Sequence, residues 1–102
     1  MNDELRDWNE VDRLIHEPAR LMILSILAVS EKADFLFLLN ETGLTKGNLS
    51  SHLGKLEAAG YIQIEKTFRG KVPQTLVSLR ETGRTAFEDY RKQLKSIVNH
   101  LS

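Results

Sequence analysis

The sequence predicts a mainly α domain with a small β-hairpin, an α+β arrangement closed by a C-terminal helix. Three observations predict it. Apolar residues recur at helical spacing through most of residues 3–59. After Gly60 the period changes to alternation, in "YIQIEKTF" and "QTLVSL". Helical spacing then returns at Phe87, Tyr90, Leu94, Ile97 and Leu101. A length of 102 residues sets a single domain spanning 1–102, with a core modest enough that oligomerisation is a natural supplement.

Leu5, Trp8, Val11, Leu14 and Ile15 place a first helix over 3–16, with an acidic opposite face. Pro18 disfavours helix at Glu17 and suits the first turn of a second helix, from Pro18 to about Ser30. That helix is largely apolar all round, as a central buried helix is. "EKADF" breaks the pattern. Asp34 is a reasonable N-cap for "FLFLLNETG", ended by Gly43. Thr45 caps the next helix, whose apolar side is Leu49, Leu53 and Leu56, and Gly60 ends it. Two short helices joined tightly near Gly43 make a helix-turn-helix over about 34–59.

A hairpin over about 61–80 follows, with "RGKVP" at its turn and Arg69 and Lys71 at its tip. A last helix covers 82–101. The order is helix, helix, helix-turn-helix, hairpin, helix. That is a winged helix-turn-helix with an added C-terminal helix.

The stretch "GLTKGNLSSHLGKLEAAGYIQIEKTFRGKVPQTLVSLRETGRTAFEDY" resembles the small stand-alone winged-helix transcriptional regulators of bacteria and archaea, of the MarR/ArsR-like kind. The resemblance rests on Leu44–Thr45, Gly47–Asn48–Leu49–Ser50, His52–Leu53, Lys55–Leu56–Glu57 and Ala59–Gly60–Tyr61. It continues through Lys66, Phe68, Pro73, Thr75, Thr82–Gly83–Arg84, Ala86–Phe87 and Tyr90, and covers roughly 13–92. Arg80 stands where that pattern has a threonine, which weakens the capping of the last helix. The resemblance implies a homodimer that binds duplex DNA and controls transcription, most often as a repressor.

The residues themselves point the same way. With Leu49, Leu53 and Leu56 inward, a turn of about 100° per residue sends Gly47, Ser51 and Gly54 outward, flanked by Asn48, Ser50 and Lys55. The major groove is about 12 Å wide, so short side chains let a helix approach the bases. Thr45 and Lys46 at the helix start can reach phosphates. His52 lies about 60° from the core direction. It suits a half-buried packing role or a phosphate contact. The candidate recognition set is therefore Thr45, Lys46, Gly47, Asn48, Ser50, Ser51, His52 and Lys55, with Arg69 and Lys71 as the wing. Arg20 suits a backbone contact or a salt bridge beside the core.

Net charge is zero, yet residues 1–43 carry −5 and residues 44–102 carry +5. Residues 44–80 alone carry +4, a local basic surface that attracts phosphate whatever the total. Zero cysteines remove disulfides and thiolate metal sites and fit a cytoplasmic protein. The N-terminus is too acidic for a secretory signal, and no apolar run is long enough to cross a bilayer. No catalytic constellation, metal-ligand spacing or phosphate-binding glycine loop is present, and no cofactor is expected. The sequence leaves open a small-molecule effector, in a cleft between the terminal helices and the DNA-binding lobe, and no residue set identifies one.

The narrow seam of Phe87, Tyr90, Leu94, Ile97 and Leu101, with Leu5 and Trp8, suits a helix pair between two copies. The alternative is packing within one chain. A dimer would present two recognition helices to half-sites about one helical turn apart.

Overall fold

The computed structural model describes residues 11–101. Its elements are α1 (Pro18–Ala28), β1 (Ala33–Asp34), α2 (Phe35–Thr42), α3 (Lys46–Ala58), β2 (Ile62–Arg69), β3 (Val72–Leu79) and α4 (Glu81–Leu101). The strands form one antiparallel sheet in the order β1-β3-β2.

The first difference from expectation lies before α1. Residues 11–16 of the helix expected over 3–16 form turns; 3–10 lie outside the described residues. The cause is Asp12. Its Oδ1 accepts from the N–H groups of Leu14 at 2.9 Å and Ile15 at 3.2 Å, while His16 N donates to its carbonyl at 2.8 Å. An aspartate bonding the backbone locally offers an alternative to helix, and here it prevails over the apolar spacing. Ile15 is still fully buried.

α1 begins as its sequence indicates. Pro18 occupies the first turn, and the Glu17 carboxylate accepts from the N–H groups of Ala19 and Arg20. Ile23, Leu24 and Leu27 are fully buried, so α1 is the central helix. It ends at Ala28, two residues before the expected end.

β1 is an element that the sequence pattern does not announce. It is two residues long and exists through pairing with β3, Ala33 opposite Val77 and Asp34 opposite Leu76. Asp34 then caps α2, accepting from Leu36 N at 2.7 Å, and also accepts from Gln74 Nε2 at 2.9 Å. The Gln74 hydrogen bond leads the causes that hold the Asp34 carboxyl below its ordinary value. Gly43, at φ 68°, closes α2 in the left-handed conformation.

The hairpin turns through Gly70 and Lys71. Gly70 has φ 66° and no other residue type takes positive φ among the described residues, the pattern of a type II′ turn. Pairing runs from Arg69–Val72 at the tip to Ile62–Leu79 at the base. A two-residue turn makes Arg69–Val72 a hydrogen-bonded pair, so Phe68–Pro73 is a non-bonded one. Pro73 therefore owes no N–H to β2, and β1 does not reach it.

α4 docks through Gly83. A Cβ there would meet the Tyr61 carbonyl oxygen at 2.1 Å. That carbonyl also accepts from Arg80 N at 2.9 Å, fixing where α4 starts. Along α4, Phe87, Tyr90 and Ile97 are buried within the chain, Leu94 is half-buried and Leu101 is exposed. The Tyr90 hydroxyl lies 2.9 Å from His16 Nδ1. Three of the α4 residues expected at the dimer seam thus pack in their own chain. The 3-4 spacing identifies an apolar stripe and leaves open what covers it. Leu5 and Trp8 lie outside the described residues. No helix among the described residues is long and apolar enough to cross a membrane.

Replacing Gly83 with Ala should destabilise the domain by about 2 kcal/mol. Thermal unfolding would then fall by about 10 °C; an unchanged midpoint would show that the approach of α4 to Tyr61 is not tight. Tyr61 donates to Asp12 Oδ2 at 2.6 Å, and that bond, with burial and the aspartate charge, pushes its phenol up to about 12. Burial also pushes Tyr90 up. The neutral phenols thus stabilise the fold below about pH 10, and the contribution disappears as pH rises through the native values. Tyrosinate absorbance should show no ionisation step at the ordinary value while the protein is folded, and Asp12→Asn should move the Tyr61 step down.

Candidate nucleic-acid interface

α3 is fixed at both ends and on one face. Its N-cap Thr45 accepts from Asn48 N at 3.1 Å. At its C-terminus Gly60, at φ 79°, and Tyr61 close the helix: Gly60 N donates to Glu57 O at 2.9 Å and Tyr61 N to Leu56 O at 3.0 Å. That pair of bonds is a Schellman motif. Leu49, Leu53 and Leu56 are at most 2% exposed. The opposite side, Lys46, Gly47, Asn48, Ser50, Ser51, Gly54 and Lys55, is exposed. Thr45 is exposed too. Its oxygen is used as an acceptor by the cap, which leaves the hydroxyl proton to donate outward.

The two α3 glycines differ from the others in kind. A Cβ at Gly47 or Gly54 would meet nothing within 4 Å, and neither has positive φ. Neither backbone strain nor packing within the chain requires glycine there. Glycine inside a helix costs about 1 kcal/mol relative to alanine.

His52 sits apart from this surface. It is half-buried, with Nδ1 3.4 Å from Glu17 Oε2 and 3.1 Å from Arg20 Nη1. As a neutral ring protonated at Nε2 it accepts from Arg20; protonated at Nδ1 it can donate to Glu17. Arg20 also lies 3.5 Å from Glu17 and donates from Nε to the Leu14 carbonyl. Partial burial raises the Glu17 carboxyl, but the backbone bonds from Ala19 and Arg20 and the charges of His52 and Arg20 together bring it below its ordinary value. His52 is thus half-buried against Glu17 and Arg20, and Arg20 lies within ion-pair distance of Glu17. Both tie α3 to the start of α1.

The hairpin stands beside α3. Arg69 and Lys71 are exposed at its tip. Ile64, Lys66 and Thr75 on the sheet face Ser50, Gly54 and Glu57 on α3 across a groove of about 730 Å³, with Phe35 and Leu53 also lining it. Lys66 lines this groove beyond the residues singled out from the sequence, and its parity with Ile62 and Ile64 puts it on the α3 side of the sheet. On the opposite sheet face Glu65 pairs with Lys32 at 3.0 Å. Among the described residues no grouping of His, Cys, Asp and Glu could hold a metal ion.

A family model described as a winged helix DNA-binding domain matches residues 19–98. The chain belongs to the winged-helix DNA-binding domain family. An uncharacterized protein of Methanocaldococcus jannaschii is 34% identical over 90 residues, covering 87% of this chain and 97% of the relative. The structure of a transcriptional regulator homologue from Pyrococcus horikoshii OT3 superposes with a TM-score of 0.89 at 28% identity, covering 99% of both chains. Bacillus subtilis PadR in complex with operator DNA shares the fold at a TM-score of 0.63 and 16% identity, over 72% of this chain and 47% of that one. This winged-helix chain is thus a homologue of transcriptional regulators.

Proposed function

We propose that the chain is a cytoplasmic, sequence-specific repressor that binds duplex DNA as a homodimer. α3 enters the major groove and the β2–β3 wing lies on adjacent backbone or minor groove. The observation that carries this reading is the outward face of α3. Gly47 and Gly54 leave open space at a cost in helix stability, and nothing inside the chain uses that space. Clearance for a groove floor accounts for it. Asn48, Ser50 and Ser51 can then exchange hydrogen bonds with base edges, while Lys46, Lys55, Arg69 and Lys71 neutralise phosphates.

Dimerisation is supported by shape. The radius of gyration is 15.4 Å, against about 13 Å for a compact domain of this size. The 21-residue α4 carries Val98 and Leu101 exposed at its far end. A dimer built on the outer side of α4, with half-buried Leu94, would set two α3 helices on one face of the duplex. The repressor assignment rests on the resemblance, in which such regulators are most often repressors.

Mobility-shift titration against duplexes enriched from a random pool tests the recognition face. Lys46→Glu and Arg69→Ala should each weaken binding, and Arg69→Ala should flatten the salt dependence by about 0.9 per lost phosphate contact. Gly54→Ala should raise helix stability by about 0.5–1 kcal/mol, whereas Gly54→Leu should stay folded and abolish tight binding. Full binding by both Lys46→Glu and Gly54→Leu would remove α3 from the interface. Light scattering should return about twice the 11.6 kDa chain mass; a monomer at micromolar concentration would overturn the dimer.

A further inference from the structure

Phe68 is 69% exposed, a large aromatic ring left in solvent on the wing. Its position in the sheet is informative. Ile62, Ile64, Lys66 and Phe68 share one face of β2, and Ile64 and Lys66 line the groove against α3. Phe68 is the next residue outward on that face, beyond the end of the core. Pro73, also exposed, stands directly opposite it in a non-hydrogen-bonded pair, the closer of the two cross-strand arrangements. The wing tip thus presents an apolar platform on the side of α3.

The wing tip itself carries charge of one sign, while Asp34 of β1 borders the Pro73 and Arg69 side and is taken up by Gln74 and the α2 cap. Residues 66–73, "KTFRGKVP", hold Lys66, Arg69 and Lys71 and no acidic residue. An apolar patch rimmed by cations suits a surface that is polyanionic at its edges and apolar between them. The deoxyribose walls of the minor groove have that character, and Phe and Pro are among the side chains that pack into it.

We infer that Phe68, backed by Pro73, is a DNA-contacting residue, packing on deoxyribose in the minor groove beside the α3 site while Arg69 and Lys71 hold the flanking phosphates. The inference rests on the DNA-binding reading above. It adds an apolar contact whose energy does not depend on counterion release.

The test is fluorescence anisotropy on the full chain with a labelled duplex enriched by the wild-type protein, over a salt series, for wild type, Phe68→Ala, Phe68→Leu and Lys71→Ala. Phe68→Ala should lose about tenfold in affinity with the salt slope unchanged, Phe68→Leu should retain most of the affinity, and Lys71→Ala should lower the slope. Hydroxyl-radical protection of sugars flanking the half-site should disappear in Phe68→Ala. Wild-type affinity in Phe68→Ala, or a loss accompanied by a reduced slope, overturns the inference and leaves the function standing. A change in mass by light scattering in Phe68→Ala also overturns it, since the platform would then join copies of the chain. A wild-type chain that binds no duplex overturns the function and the inference together.

Discussion

The structure is organised around the backbone of one residue, Tyr61. Its N–H closes the end of α3 on the Leu56 carbonyl, and its own carbonyl receives the N–H of Arg80 at the start of α4. Gly83 brings α4 against that same carbonyl. Its phenol reaches Asp12 in the turn before α1. Three junctions therefore meet at one residue, immediately before β2. The attitude of α3 to the β2–β3 hairpin and to α4 is set there, by backbone hydrogen bonds with little freedom to rotate.

Glycine serves opposite purposes on the two sides of this node. Gly83 admits a neighbour of the same chain, and a methyl group would collide with backbone. Gly47 and Gly54 admit nothing of this chain. α3 tolerates them because its stability comes from elsewhere: a side-chain cap at one end, a Schellman motif at the other, and three leucines in the core. The His52 contacts with Glu17 and Arg20 add a lateral tie to α1.

Features with local causes were legible in the sequence. Asp34, Gly43, Thr45 and Gly60 act where their chemistry says they should, and Leu49, Leu53 and Leu56 point inward as their spacing requires. The composition and exposure of the α3 face and of the wing tip were legible for the same reason. Features with tertiary causes were not. β1 is two residues long and exists only through β3. The turn at Asp12 opposes an apolar rhythm that reads as helix. The burial of Phe87, Tyr90 and Ile97 depends on what lies across from α4, which spacing does not specify. Phe68 is the intermediate case: its register in β2 puts it on the α3 side, while its exposure follows only from where the core stops.

The anchoring of α3 has an evolutionary consequence. Its inward face and its termini carry the folding information, and its outward face carries almost none. Substitutions at the exposed Asn48, Ser50 or Ser51 are therefore close to neutral for the scaffold and, under the proposed function, consequential for the DNA bound. A domain divided in this way can drift through many binding preferences without passing through an unfolded intermediate sequence. Duplicated copies of such a chain could diverge in target while remaining nearly interchangeable in fold.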